Sequence, residues 1–278
     1  MNKTVIVTGA SAGVGAAAAR KFAELGATVA VVGRSAEKTT AVAREIGAKP
    51  YIVDFSGFDD VRKVAEELRA DHPVVDILAN NAGMMVRTPT LSRDGHELTF
   101  QVNYLAPFLL TALLRDQLEA SPEARVISTS SAAHAYGSID LDRLGQVPER
   151  YSTMRAYGAS KLGNILFTQE LARRAKATSI TASSFHPGPV VSDFFREGRL
   201  IGTLANSALA KAVLFTPDRG AEPLLHLATV SDPRSVDGAY FDKRKRREPK
   251  GQARDADFAR RLWDRTAELL GVSDQADR

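Results

Sequence analysis

The sequence predicts an α/β fold, a doubly wound parallel sheet with helices on both faces. Three observations predict it. Short apolar runs alternate with helical segments along the chain, the connections between them are short, and the runs are continuously apolar, as strands buried on both faces are. Such strand–helix–strand units cross over right-handedly and lie side by side in one open sheet. The 278 residues suffice for one large α/β domain, and no linker, repeat or low-complexity tract divides residues 1–278.

Thr4-Val5-Ile6-Val7 is the first buried strand and ends in Thr8-Gly9. Val14 to Leu25 is alanine-rich and helical, and Gly26 stands where that helix should stop. Thr28 to Val32 is the second strand. Ser35 can cap the next helix, with Glu37 and Lys38 in its first turns. Tyr51-Ile52-Val53 ends at Asp54, Asp59 to Ala70 is helical, and Val74 to Ala79 forms the fourth strand, ending at Asn80-Asn81-Ala82-Gly83. A long helix is expected over about Gly95 to Leu118, a strand over Arg125 to Ser128, and another long helix over about Met154 to Lys176. Ile180 to Phe185 is the sixth strand, and Ala239-Tyr240-Phe241 a seventh before a helix over about Asp255 to Leu270. About seven strands result. Residues 190–215 break the pattern with apolar side chains at helical spacing (Phe194, Phe195, Leu200, Ile201, Leu204), which suits either a substrate lid or ordinary core.

Composition removes several function classes. There is no cysteine, so disulfides, thiolate metal sites and cysteine nucleophiles are excluded, and no metal site is expected. The net charge is only +4, with much of the excess in Lys243-Arg244-Lys245-Arg246-Arg247. Without an aromatic ladder this run reads as a solvated loop rather than a nucleic-acid patch. No stretch approaches the roughly 20 apolar residues of a membrane span, and Lys3 followed by Val5-Ile6-Val7 is too short for a signal peptide. A cytoplasmic protein is expected.

Thr8-Gly9-Ala10-Ser11-Ala12-Gly13-Val14-Gly15 joins the first strand to the first helix. Glycines there let the backbone turn tightly and approach a pyrophosphate, while the helix N-terminus supplies free N–H groups and a positive dipole end. This is Rossmann-like dinucleotide logic, although the spacing is GxxxGxG. At the end of the second strand, Val32-Gly33-Arg34-Ser35 lacks the acid that would accept a ribose 2′-hydroxyl. Arg34 would instead bind a 2′-phosphate in a forked pair, with Lys38 one turn on. NADP(H) is therefore expected over NAD. Asp54 ends the third strand on the ligand edge and suits the adenine amino group, with the Phe55 N–H beside it. Asn81, Ala82 and Gly83 reach the same edge, where Asn81 can also serve to hold its own turn.

Tyr157-Gly158-Ala159-Ser160-Lys161 opens a long helix, and i,i+4 spacing puts phenol and ammonium on one face. A free tyrosine, with a pKa of about 10, exchanges its proton poorly near neutrality. A fixed positive charge beside it favours the phenolate and yields a general acid for reduction or base for oxidation.

The motifs Thr8-Gly9-x3-Gly13-x-Gly15, Asn80-Asn81-Ala82-Gly83, Asn103, Ser130-Ser131, Tyr157-x3-Lys161 and Pro187-Gly188 occur in that order. In this the chain resembles the short-chain dehydrogenase/reductase family over essentially its full length. The resemblance implies that Tyr157 is the acid/base, that Lys161 tunes it and holds the nicotinamide ribose, and that Ser131 hydrogen-bonds the substrate oxygen. It implies that Asn103 positions a water in a proton relay to Lys161, and that Pro187, Gly188 and Val190 line the nicotinamide, with Ser192 where the family usually has threonine. His134 is a tempting base, but the Tyr–Lys pair already fills that role; His186 reads as packed.

A narrower resemblance rests on the 26 positions between Ser131 and Tyr157, about twice the usual spacing, filled by Ile139 through Tyr151. With Ser160 to Phe167, His186-Pro187-Gly188, Gly238 to Phe241 and Arg261-Leu262-Trp263, it is similar to the retinol dehydrogenase-like branch. The protochlorophyllide reductase-like branch shares some of this, but no cysteine is available for that chemistry. Retinoid enzymes often carry an N-terminal anchor, whereas this chain begins at its first strand. The expected function is a ketoreductase or dehydrogenase acting on a carbonyl or alcohol of a hydrophobic small molecule, such as an aldehyde, ketone or polycyclic carbonyl. It is expected without a membrane span or nucleic-acid partner and, by the family's habit, as a possible homo-oligomer. The alternative is a non-catalytic dinucleotide sensor or scaffold on the same fold.

Overall fold

A computed structural model describes residues 1–189 and 216–272. Val190, Ser192 and the 190–215 segment therefore lie outside the described residues. The elements run β1 (Thr4–Thr8), α1 (Gly13–Glu24), β2 (Thr28–Gly33), α2 (Ala36–Glu45), β3 (Lys49–Ile52), α3 (Phe58–Asp71) and β4 (Ile77–Asn80). A composite helix α4 follows, built from Leu98–Phe100, a π-helical turn at Gln101–Leu105 and Ala106–Leu113, and then the short α5 (Arg115–Glu119). Next come β5 (Ala124–Thr129), α6 (Thr153–Arg174), β6 (Ile180–His186), α7 (Pro217–Thr229), β7 (Ala239–Asp242), β8 (Lys245–Arg247) and α8 (Ala256–Leu270).

The sheet order is β3-β2-β1-β4-β5-β6-β7-β8. Every neighbouring pair is parallel except β7–β8. Strand order reverses between β1 and β4, which opens a crevice at their C-terminal ends, where ligands collect in such sheets. Side chains alternate between two cores. Val5 and Val7 pack with Ala16 to Ala19, Phe22 and Leu224, the side of α1, α2 and α7. Ile6, Leu78 and Val126 pack with Leu105, Leu109, Leu162 and Ile165, the side of α3, α4, α6 and α8. On that second face Trp263 of α8 stacks on Phe167 at 5.5 Å and meets Phe108 at 4.6 Å. Burying such a ring is worth roughly 2–3 kcal/mol, enough to hold α8 across α4 and α6.

Four details differ from the sequence expectations, each for a local reason. The fourth strand starts at Ile77, not Val74, because Val75 N donates to Gln117 O of α5 at 2.9 Å instead of to a neighbouring strand, while the Asp76 carboxylate accepts from Thr4 N and Ser121 Oγ, both at 2.7 Å. The basic run is not a loop: Lys243 and Arg244 turn a two-residue hairpin, Lys243 at φ 58°, and Lys245 to Arg247 form an eighth, edge strand. Exposed cations along an edge discourage pairing with another chain. The helix α7 was not foreseen; Thr216 caps it, Pro217 starts it and Pro223 lies within it. The expected Gly95–Leu118 helix starts only at Leu98, where the buried Glu97 carboxylate accepts from Thr99 N and Phe100 N, and it breaks at Leu114.

Candidate active site

The C-terminal ends of β1, β4, β5 and β6 converge on one crevice. Thr8 organises its floor. Its hydroxyl donates to Ala79 O at 3.1 Å and accepts from Asn81 N and Ala82 N, both at 3.0 Å. The Asn81 amide donates to Thr8 O at 3.0 Å and accepts from Thr129 Oγ1 at 3.3 Å. Asn81 therefore ties β1, β4 and β5 together. The glycine turn is packed against this floor. Gly9 has φ 66°, and a Cβ there would lie 2.7 Å from Ala82 Cα; one on Gly15 would lie 2.3 Å from Gly9 O and 2.6 Å from Asn81 Nδ2. At Gly13, φ 57°, nothing stands within 4 Å of a Cβ position, so glycine is needed there for its backbone angle and leaves open space above it.

This turn delivers an uncapped helix end. Ala12 provides no side-chain cap to α1, and no acidic residue stands in its first turn. Its free N–H groups and dipole suit an anion. Arg34 and Lys38 are exposed at the end of β2 and the start of α2, next in the sheet. Ser11 lies against Gly33, where an added Cβ would come within 3.1 Å of Ser11 Cβ. Asp54 closes its own turn by accepting from Ser56 N at 3.0 Å, and Phe55 is buried with its carbonyl accepting from Gln101 Nε2 at 3.4 Å.

The reacting end is built where the segment after β5 meets α6. Gly137 and Gly158 touch backbone to backbone; a Cβ on Gly137 would lie 2.3 Å from Gly158 C. That close approach brings Ser131 to Tyr157, where its hydroxyl favours ionisation of the phenol. One helical turn on, Lys161 Nζ donates to Thr129 O at 2.9 Å and lies 5.6 Å from the Tyr157 ring centre. Asn164 donates to the same carbonyl at 3.0 Å. Asn103, fully buried in the π turn, accepts from Met84 N at 2.7 Å and donates to Met84 O and Ser160 Oγ, both at 2.9 Å. Ser160 in turn donates to Tyr157 O at 2.8 Å. A Cβ on Gly83 would lie 3.3 Å from both Asn103 Oδ1 and Lys161 Nζ, so the glycine leaves a slot between them.

Burial governs the titration here. It pushes the Tyr157 phenol up to about 12, opposed by the neighbouring Ser131 hydroxyl, and pushes Lys161 down to about 7. Sequence spacing suggested that the ammonium would lower the phenol; in the chain by itself desolvation outweighs that effect. His134 is used structurally. Its Nδ1 lies 2.7 Å from Ser131 O, its Nε2 accepts from Lys250 N at 3.2 Å, and its ring meets Tyr240 edge-on. His186 ends β6 largely buried, with burial lowering its pKa. Pro187 and Gly188 follow, Gly188 at φ 91°. The structure thus assembles Ser131, Tyr157, Lys161 and Asn103 at one end and the glycine turn with Arg34 at the other. Sequence reasoning missed Thr129 and Asn164. The first acts through a main-chain carbonyl, which no residue type signals; the second sits three residues beyond Lys161, on the same helix face.

The family model for short chain dehydrogenases matches residues 3–200. The chain belongs to this family. Retinol dehydrogenase 13 of Homo sapiens is 36% identical over 281 residues, covering 97% of this chain and 85% of that protein. A protein of Streptomyces sp. (strain C5), named as a candidate daunorubicin C-13 ketoreductase, DnrU, is 39% identical over 276 residues, covering 97% and 93%. Among solved structures, a short chain dehydrogenase from Burkholderia cenocepacia in complex with NADP superposes with a TM-score of 0.66 at 26% identity, covering 87% of this chain and 95% of that one. The chain is thus a short-chain dehydrogenase of the retinol dehydrogenase-like branch, an oxidoreductase of a family that binds a nicotinamide dinucleotide and transfers hydride. In this short-chain dehydrogenase Gly15→Ala should lower stability by roughly 1–3 kcal/mol, because the methyl overlaps backbone that cannot retreat. It should also weaken dinucleotide binding about tenfold or more by displacing the turn, as thermal melts and fluorescence titration would record.

Proposed function

We propose that this dehydrogenase transfers hydride between NADP(H) and a carbonyl or alcohol of a hydrophobic small molecule, with Tyr157 as acid and base. The observation that carries the reading is the juxtaposition of Ser131 and Tyr157 where Gly137 meets Gly158, with Lys161 one turn behind them. The residues present fit the dinucleotide: the glycine turn leaves space at Gly13, and the α1 N-terminus is uncapped. Gly9, Ser11, Gly13, Val14 and Gly15 would hold the pyrophosphate, and Arg34 with Lys38 the 2′-phosphate. Asp54 and Phe55 would border the adenine. Ala82, Gly83, Pro187 and Gly188 would line the nicotinamide half, with Asn81 holding the turn beneath; Val190 and Ser192 complete the set by resemblance. When bound, the dinucleotide supplies or accepts the hydride.

The chain's own residues then manage one proton. Ser131 and Tyr157 donate to the substrate oxygen, and Tyr157, neutral at physiological pH in the chain alone, gives up its proton. Lys161, with a pKa near 7, can take up a proton from one side and release one to the other close to neutrality. The Asn103 amide is already engaged with Met84 and Ser160. A relay water at Asn103 would therefore have to use its main chain rather than its side-chain amide, within a turn that departs from the α-helical pattern. An apolar substrate is supported by Met154 and Tyr136, which stand 50% and 70% exposed on the segments that carry Tyr157 and Ser131. It is supported too by two relatives named for retinol and for a daunorubicin ketone. Among the described residues no helix is long and apolar enough to cross a membrane.

The test is NADPH consumption across a panel of hydrophobic aldehydes and ketones. Turnover of at least one class is expected; tight NADPH binding with no turnover would favour the sensor reading instead. Arg34→Glu should lower the preference for NADPH over NADH by about tenfold or more, since a carboxylate repels a 2′-phosphate that a guanidinium grips. The ratio of kcat/KM for the two cofactors reads this directly.

A further inference from the structure

α8 turns Phe258, Leu262, Trp263, Ala267 and Leu270 into the core, and Thr266 stands within this apolar stripe with no exposure. Valine would fill the same volume without a hydroxyl to satisfy, so the oxygen needs a reason. It has two contacts: it donates to Leu262 O at 2.7 Å and lies 2.8 Å from the Tyr104 phenol oxygen. A hydroxyl has one proton, and Leu262 takes it. Thr266 is therefore the acceptor and Tyr104 the donor. Burial holds the Tyr104 pKa well above its ordinary value, so this donor stays protonated.

Tyr104 follows Asn103 inside the π turn. Its ring lies flush on Gly163, where a Cβ would come 2.7 Å from Cδ2 and 2.9 Å from Cγ. Gly163 stands between Lys161 and Asn164, the two residues that share Thr129 O. One aromatic ring thus touches α6 beside the lysine and α8 through its hydroxyl, while the preceding residue faces the slot at Gly83. A π turn is a local departure from α-helical winding. If it shifted by one residue, Asn103 would rotate by about 100°, the α-helical rotation per residue, and leave Met84 and Ser160.

We propose that Tyr104 and Thr266 are positioning residues for the proton relay: their hydrogen bond pins the π turn and so sets Asn103 against Lys161, making the C-terminal helix part of the catalytic apparatus. The proposal rests on the reading of Asn103, Lys161 and Tyr157 given above.

Four variants of the full chain test it: Thr266→Val, Thr266→Ser, Tyr104→Phe and Tyr157→Phe. Thr266→Val leaves a buried phenol with no acceptor and should lower kcat about tenfold, with KM for NADPH and for the carbonyl changed less than about twofold. The solvent deuterium isotope effect on kcat should rise above that of the wild type, because proton delivery becomes slower. Thr266→Ser keeps the acceptor and should stay within about twofold of the wild type. Tyr104→Phe removes the donor while Thr266 keeps its bond to Leu262, so kcat should fall less, about threefold, with the same rise in isotope effect. This second variant decides the matter should Thr266→Val fold poorly. A wild-type kcat and isotope effect in Tyr104→Phe or Thr266→Val would overturn the proposal, as would Thr266→Ser falling as far as Thr266→Val. If Tyr157→Phe is dead while Thr266→Val is unaltered, only the positioning role fails; if Tyr157→Phe is fully active, the acid/base reading and this proposal fall together.

Discussion

Tyr157→Phe should lower kcat about a thousandfold while NADPH binding changes less than about threefold. The substitution removes one oxygen. The ring stays in place because the contact between Gly137 and Gly158, not the hydroxyl, sets the position of this first turn of α6. Ser131 loses a polar neighbour but still accepts from Ala133 N at 3.2 Å, so the cost to stability should stay within about 1 kcal/mol. What disappears is the proton donor. Burial pushes the phenol up to about 12, so it is protonated across the neutral range and ready as an acid without further adjustment. Reduction should accordingly show no loss of rate from phenol ionisation between pH 6 and 9, whereas oxidation, which needs the phenolate, should climb with pH. Initial rates in both directions over that range, with fluorescence titration of NADPH, give the answer. A kcat within about tenfold of the wild type would remove Tyr157 from the mechanism.

How far the site was legible follows from what sequence spacing can encode. The pairing of Tyr157 with Lys161 was legible because four residues on a helix return to the same face. The position of Arg34 next to the glycine turn was legible because that turn and the end of the next parallel strand must open on the same edge. The doubly wound sheet was legible because continuously apolar strands need cover on both faces, and Val5 and Ile6 do point to opposite cores. The rest depends on single contacts. The π turn at Gln101–Leu105 leaves the apolar pattern of its helix almost unchanged, and only the bonds of Asn103 and Tyr104 across to α6 and α8 reveal it. β4 was overextended because Val74 and Val75 look like strand, and nothing in their side chains signals that Val75 N bonds to α5 instead. β8 was hidden inside a cationic run whose charge suggested a loop. The pKa values were beyond reach for a further reason. Spacing reports who is near whom, but the larger effect on both Tyr157 and Lys161 is removal from water.

That same desolvation makes Lys161→Met the most informative stability variant. Methionine has a similar length and no charge. Turnover should fall about a hundredfold or more, since the relay loses the group that accepts and releases its proton. The cofactor-free protein, however, should become more stable near neutral pH. The sign follows from linkage. Lys161 has a pKa near 7 in the folded chain and about 10.4 when unfolded. Between these values the unfolded state binds more protons, so wild-type stability rises with pH across that interval. Below pH 7 the folded protein carries the full cost of a buried ammonium; above the unfolded value it carries none. The stabilisation from Lys161→Met should therefore be largest at pH 6 to 7 and vanish towards pH 10.5, each tenfold difference in proton affinity being worth about 1.4 kcal/mol. The lost bond from Lys161 Nζ to Thr129 O offsets part of the gain, about 1 kcal/mol, and Asn164 still satisfies that carbonyl. Thermal melts of both proteins at pH 6.5, 8 and 9.5 measure the difference. A gap that stays constant with pH would mean that Lys161 is not the group being desolvated. A gap that narrows as pH rises would show that folding pays in stability for placing a near-neutral lysine behind Tyr157.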